Sequence, residues 1–457
     1  MPWNRWYSFK SYVRSALWLI PFIALVVGVA LKRLSEWFGN WAASAGWWER
    51  GKAFLELEPA EAQAFLDRIF SINISFLVFT FGSLLVAIQV AGGQYTPRII
   101  ATTLLRDNVI RGISGIFVFT LLWSNRTMVQ LSETHVPQLQ VLLAGIFGVI
   151  SLVAFLFLID YAARFLRPVS LVARVGENGI DVIHSVYPTV IRHGDVAAQR
   201  VVKRRLGFLH WPARVEAATA SVGSKALGKP GRTIVHQGNS GIVLAVNIPS
   251  LIAEAQRAQC VIEVAPQVGD FVAVDEPLFH IYGNAGVLDE RKLRALIAFG
   301  SERTMEQDPL FALRILVDIA LKALSPAIND PTTAVLSIDQ LHRLLRTVGL
   351  RNLRTDEFAD YSGQLRVILR TPNWENFVHL SFREIRQYGA SSLQIVRRLH
   401  AMIDNLKQTL PDSRHAALQI ELDLLNRAAA KHFVFSEDLA LARVPDAQGL
   451  GGAARAA

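Results

Sequence analysis

Asn73, Thr80, Ala87 and Gln94 recur at seven-residue intervals, with Ser83 beside them, inside an uncharged run over 69–97. On a helix turning about 100° per residue they share one stripe about 80° wide. Ser75, Gly82 and Gln89 form a second stripe on the opposite face. Amide and hydroxyl groups are costly in hydrocarbon unless protein or water satisfies them. Two chemistries fit: helix–helix packing through small and amide side chains, or the wall of a hydrated path with Asn73, Thr80, Ser83, Gln94 and Gln89 as its lining. A second cluster, Ser325, Asn329, Asp330, Thr332 and Thr333, lies in ALSPAINDPTTA. Asp330-Pro331 has the form of an N-cap followed by proline at the first helical position. The free N–H groups of such a helix start also suit an anion. Asp330 would repel one, and no glycine-rich loop or lysine follows.

Catalytic signatures are missing. There is no G-x-x-x-x-G-K-[ST], G-x-S-x-G or H-E-x-x-H. No paired Cys or tight His/Asp/Glu spacing suggests a metal, and no cofactor is expected. The sequence leans away from an enzyme.

The elements that position these residues follow from charge distribution. The chain has 457 residues, 51% hydrophobic and 19% charged, with mean hydropathy +0.30; a soluble domain has about 25% charged residues. Residues 1–161 hold 12 Lys+Arg and 9 Asp+Glu, leaving 35 and 29 for the rest. A charge-poor front third therefore precedes an ordinary soluble region. A spanning helix needs roughly 17–25 apolar residues, and four spans are expected at about 15–31, 69–91, 109–126 and 138–160. The third has the shortest uncharged run, 112–125, with Arg111 and Arg126 placed to snorkel. The first is read as a retained anchor, because no A-x-A site follows it. Ala144, Gly148 and Ser151 read as a packing seam on the fourth span. Asp160 reads as an end charge, with a gating role as the minor alternative.

Lys and Arg before the first span, between the second and third, and after the fourth place both termini in the cytoplasm of a bacterial inner membrane. Trp37, Trp41, Trp47 and Trp48 suit the outer interface. The net charge of +9 fits positive-inside charge and anionic lipid better than nucleic acid, for which no module is present.

The fold class is thus an integral membrane α-helical protein plus a cytoplasmic α+β domain. Its parts are a transmembrane domain over 1–161, a helical connector over 162–232, a small β-barrel-like module over 233–285, a helical domain over 286–445, and a disordered tail over 446–457. The hairpin PxxGDFVxxxxPLFHI looks like those of biotinyl and lipoyl carriers, but no Lys lies between Lys229 and Lys292 to be modified. Within the helical domain, one helix is expected over 378–410 and another over 414–431.

Together, FGSLLVAIQVAGGQYTPRII, GIDVI, GDFV, the ALSPAINDPTTA run and LRVILRTPNWENFVHLSFREIRQYG resemble a family of bacterial predicted membrane proteins, domain of unknown function twenty-two fifty-four. The resemblance spans about residues 10–440. It implies four spans and a cytoplasmic C-terminal domain, and assigns no activity or catalytic residue. Three functions remain open: a homo-oligomeric ion channel or permeation protein, a membrane-anchored ligand sensor or scaffold, and a membrane enzyme. The ion or ligand is unknown; the lipid bilayer is the expected partner.

Overall fold

The computed structural model describes residues 2–16, 19–44, 57–94, 107–132, 136–165, 167–191, 227–284, 286–353 and 356–451. It divides into two compact units: residues 12–93 with 97–171, and residues 1–11 with 94–96 and 172–457.

The first unit contains four helices: α2 (Leu19–Ser44), α3 (Pro59–Gln94), α4 (Asn108–Val129) and α5 (Gln138–Phe165). Two segments, Pro59–Val90 and Gln138–Arg164, are long and apolar enough to cross a membrane. Their exposure is inverted relative to a soluble helix: Val78, Phe79, Leu85 and Val86 on α3, and Val149, Val153 and Phe157 on α5, face outward. Water would penalise such a surface; hydrocarbon does not. Inside, Ala62, Leu66 and Ile69 of α3 cluster with Trp123 of α4 and with Val141 and Ala144 of α5. Close approach depends on glycine. A Cβ on Gly145 would lie 3.0 Å from the Phe65 ring, and one on Gly115 would lie 3.1 Å from Ile20 of α2.

Helix α3 starts ten residues before the uncharged run. Its first turns carry Glu61, Asp67 and Arg68, because hydrogen bonding continues past the apolar stretch once packing supports it.

The second unit holds α1 (Trp3–Ser15) through Ser11, and α6 (Pro168–Val186) from Val172. The rest of the expected connector, 192–226, lies outside the described residues. Then follow β1 (Arg232–Val235), β2 (Gly241–Val246), α7 (Ile248–Ala258), β3 (Cys260–Val264), β4 (Phe271–Val272), β5 (Pro277–Gly283), α8 (Glu290–Arg294) and β6 (Ile297–Gly300). The expected barrel-like module is not a closed barrel. Its strands form two sheets, β1-β5-β3-β8-β7 and β4-β2-β6. The first takes its far edge from β7 (Glu357–Ala359) and β8 (Leu365–Leu369), and β8 runs parallel to β3 with Ile262 opposite Val367. Helix α7 packs over β3 and β8, so a helix covers the apolar face that barrel closure would otherwise bury.

The helices of this unit are α9 (Pro309–Ala323), α10 (Pro331–Gly349), α11 (Trp374–Gly389), α12 (Leu393–Thr409), α13 (His415–His432) and α14 (Ser436–Ala442). The helix expected over 378–410 is broken between α11 and α12. A Cβ on Gly389 would lie 2.5 Å from Ile395, so the chain turns there and packs back on itself. Of the expected disordered tail, residues 446–451 are held. Asp446 accepts from Gln448 N and Gly451 N, and Gln394 donates to Gly449 O at 2.6 Å. Residues 452–457 lie outside the described residues.

Candidate functional site

The two stripes on α3 have different surroundings. Asn73, Thr80 and Ala87 are 1%, 3% and 8% exposed and face the packed seam. The Thr80 hydroxyl donates to Phe76 O at 2.7 Å, and Ser83 donates to Thr80 O at 3.0 Å. Asn73 donates through Nδ2 to Ile69 O at 2.9 Å; its buried Oδ1 has no hydrogen-bond partner. The opposite stripe is open. Ser75, Gly82 and Gln89 are exposed, and a Cβ on Gly82 would meet nothing within 4 Å. Ser75 donates to Ser71 O, whereas the Gln89 amide lies on the outer surface of an apolar helix. Gln94 ends α3, and its side chain lies outside the described residues.

Sequence reasoning missed two polar groups in this unit, Lys32 and Asp107, and expected a third, Arg111, to snorkel, whereas it is 6% exposed. Lys32, 5% exposed, donates to the Thr127 hydroxyl at 2.9 Å and sits 5.1 Å from the Trp123 ring centroid. Its position just after the uncharged run reads as an end charge, and only packing reveals its burial. Asp107, 7% exposed, caps α4 by accepting from Val109 N and Ile110 N, and it accepts from the Tyr161 hydroxyl at 2.5 Å. Arg111 donates to Val13 O at 3.3 Å. An Asp just before a helix was a legible cap signal; its Tyr161 partner was not. Thr120 and Ser151 share a hydrogen bond of 3.0 Å between α4 and α5. Asp160 is exposed and paired with Arg164, as suits an end charge.

In the second unit, Ser325–Thr333 closes on itself. Asp330 caps α10, accepting from Thr333 N at 3.1 Å and from the Thr333 hydroxyl at 2.5 Å. Ser325 donates to Lys322 O, Asn329 N to Ser325 O, and Asp330 N to Ala323 O. Asn329 turns the chain at φ 46°, a conformation in which Asn is several-fold enriched. Asn329 and Thr332 are exposed. The structure brings all five residues into one helix–helix corner in which Asp330 and Ser325 already have backbone partners.

Sequence reasoning also missed Asp308. It caps α9 through Phe311 N at 3.1 Å, is 3% exposed, and presents Oδ2 without a hydrogen-bond partner. A cavity of about 20 Å³ beside it is lined by Gln307, Arg370 and Thr371, room for about one water. Burial lifts its carboxyl to about 6, against the pull of Arg303 4.0 Å away. Asp360 and Arg366 form a buried pair at 2.8 Å. Burial opposes the Asp360 charge, but hydrogen bonds from Ser362 and Arg366 outweigh it and hold the group at about 2. Glu421, fully buried, is met by His379 at 2.9 Å and by Arg383 at 3.4 Å. Glu421 ties α13 to α11, Asp360 and Arg366 brace the β7–β8 hairpin, and these groups do not converge on a substrate-sized cavity. Among the described residues, no three His, Cys, Asp or Glu side chains lie placed to hold a metal ion.

Comparison with known proteins agrees with the exposed apolar helices. A family described as "Predicted membrane protein (DUF2254)" matches residues 14–405. An uncharacterized protein of Mycobacterium bovis is 23% identical over 465 aligned positions, covering 99% of this chain and 82% of its own length. Two uncharacterized proteins of Mycobacterium tuberculosis match to the same extent. No solved structure matches the chain.

Proposed function

The chain belongs to the DUF2254 family of predicted membrane proteins, and from that premise we propose a homo-oligomeric ion-permeation protein whose subunits meet along the outer face of α3. Each subunit crosses a bacterial inner membrane four times, through α2 to α5, with both termini in the cytoplasm. The Lys and Arg placement supports that orientation.

One observation carries the reading: Ser75, Gly82 and Gln89 are all exposed, whereas in the other stripe Asn73, Thr80 and Ala87 are buried and Ser83, at its edge, is exposed. An amide facing lipid lacks hydrogen-bond partners. A second copy, or water held between copies, supplies them. Glycine at the middle of the stripe allows close helix approach. Four helices packed on one another leave little room for a path inside one subunit, so the path lies on a symmetry axis. The inner stripe of Asn73 and Thr80 then serves packing. A sensor reading built on Ser325–Thr333 gains no support from a corner whose Asp330 and Ser325 are engaged internally.

The test is flux of K⁺, Na⁺ and Cl⁻ through liposomes carrying the purified protein. Flux above protein-free liposomes, changed by Gln89→Leu while the protein stays oligomeric, supports the reading. A strict monomer with no flux, folded and inserted, rejects it.

A further inference from the structure

Helix α1 has two aromatic faces. Trp3 and Tyr7, one helical turn apart, stack at 5.3 Å between ring centroids and pack against Ile242, Leu244, Ala245 and Ala298 of the sheet β4-β2-β6. Asn4 N donates to Ala295 O at 3.1 Å. The other face is exposed: Trp6, Phe9 and Tyr12 are 50%, 60% and 58% exposed. At about 100° per residue they fall, with Arg5, within an arc of about 120°. The Lys10 ammonium lies 5.1 Å from the Trp6 ring centroid. The helix carries Arg5, Lys10 and Arg14 and no acidic residue.

Three exposed aromatics among cations are the composition of a helix lying in a membrane interface, where rings sit at headgroup depth and cations meet anionic lipid. Two further facts select a lipid surface over a protein. The charge is of one sign and complements anionic headgroups. The chain also passes from α1 almost directly into α2, whose first stretch, 19–31, has no charge, so the aromatic helix adjoins the first expected span in the sequence. We propose that α1 is an adaptor between a lipid surface and the β module: Trp6, Phe9 and Tyr12 enter the headgroup layer of an anionic leaflet while Trp3 and Tyr7 clamp the sheet β4-β2-β6. The proposal stands whether or not the protein conducts ions, because it rests on none of the α3 residues.

The experiment uses the full chain in vesicles. Phe9→Cys is labelled with an environment-sensitive fluorophore; the native Cys260 is 2% exposed, and burial pushes its thiol up, so labelling favours the new site. Brominated lipids report depth, and iodide reports water. The expected result is quenching by brominated lipid in phosphatidylglycerol-containing vesicles, weaker in pure phosphatidylcholine. Arg5→Glu should reduce the ratio of engaged to free helix by at least about fivefold, since each basic residue near an anionic surface contributes about that factor. Iodide quenching without lipid quenching overturns the proposal, as does protection from both quenchers, which would give the patch to a protein partner. Lipid quenching identical in both vesicle types overturns the anionic-leaflet assignment. The comparison of vesicle types needs only the exposed Phe9 substitution, so it does not depend on how Arg5→Glu folds.

Discussion

Asp330 and Asp308 both cap helices, and their surroundings give them opposite behaviour. Asp330 is partly exposed and has both oxygens engaged by Thr333. Asp330→Ala should cost about 1 kcal/mol, the usual worth of an N-cap, seen as a lower melting temperature of the detergent-solubilised protein. Asp308 has one oxygen buried without a hydrogen bond. Its carboxyl stands at about 6 against an ordinary 3.8, first because of burial. Between those values the folded chain keeps a proton that the unfolded chain has released, so stability falls as pH rises from about 4 to 6. The displacement corresponds to about 3 kcal/mol. Asp308→Asn keeps an acceptor for Phe311 N and carries no charge. It should raise the melting temperature at pH 7.5 and flatten the slope between pH 4 and 6; an unchanged slope would assign it to other groups. The Asp330-Pro331 cap was legible because its signal is local. The burial of Asp308 was not, because it depends on Gly269, where a Cβ would lie 2.5 Å from the Asp308 carboxylate although the two stand 39 positions apart in the sequence.

At the scale of elements, hydrophobic periodicity located the long helices but not their ends. Helices α3 and α5 run past their apolar stretches into charged turns, since apolarity marks the membrane and hydrogen bonding marks the helix. The β module was legible as hairpins between 233 and 283. Its closing partner was not, because β8 arrives from residues 365–369 in parallel pairing with β3, which no local pattern encodes. Helix packing in the second unit is equally non-local. A Cβ on Gly179 of α6 would lie 2.9 Å from both Ala312 of α9 and Leu344 of α10. Gly179→Val should destabilise by about 1–3 kcal/mol through overpacking. Urea unfolding followed by circular dichroism would show this as an earlier transition, while Gly82→Val, in open space, should leave that transition in place.

For the whole molecule, the sequence separated a charge-poor region from an ordinary soluble one, and the exposed apolar helices together with family membership agree with a membrane protein. The proposed assembly along α3 makes a prediction at this scale. Gly82→Cys in membranes should cross-link copies under mild oxidation, read as a doubled mass on non-reducing gels. Asn73→Cys, in the packed seam, should not. The parallel pairing of β3 with β8 also has a consequence for synthesis. Val264 leaves the ribosome about one hundred residues before its partner Leu369. At 5–20 residues per second, the free edge of β3 waits on the order of 5–20 s, with α9 and α10 made in the interval. Nascent chains halted before residue 365 therefore present an unpaired strand edge, the surface that invites chaperones or aggregation, so a pause in translation over 265–365 would lower the yield of a protein whose mature fold is unaltered.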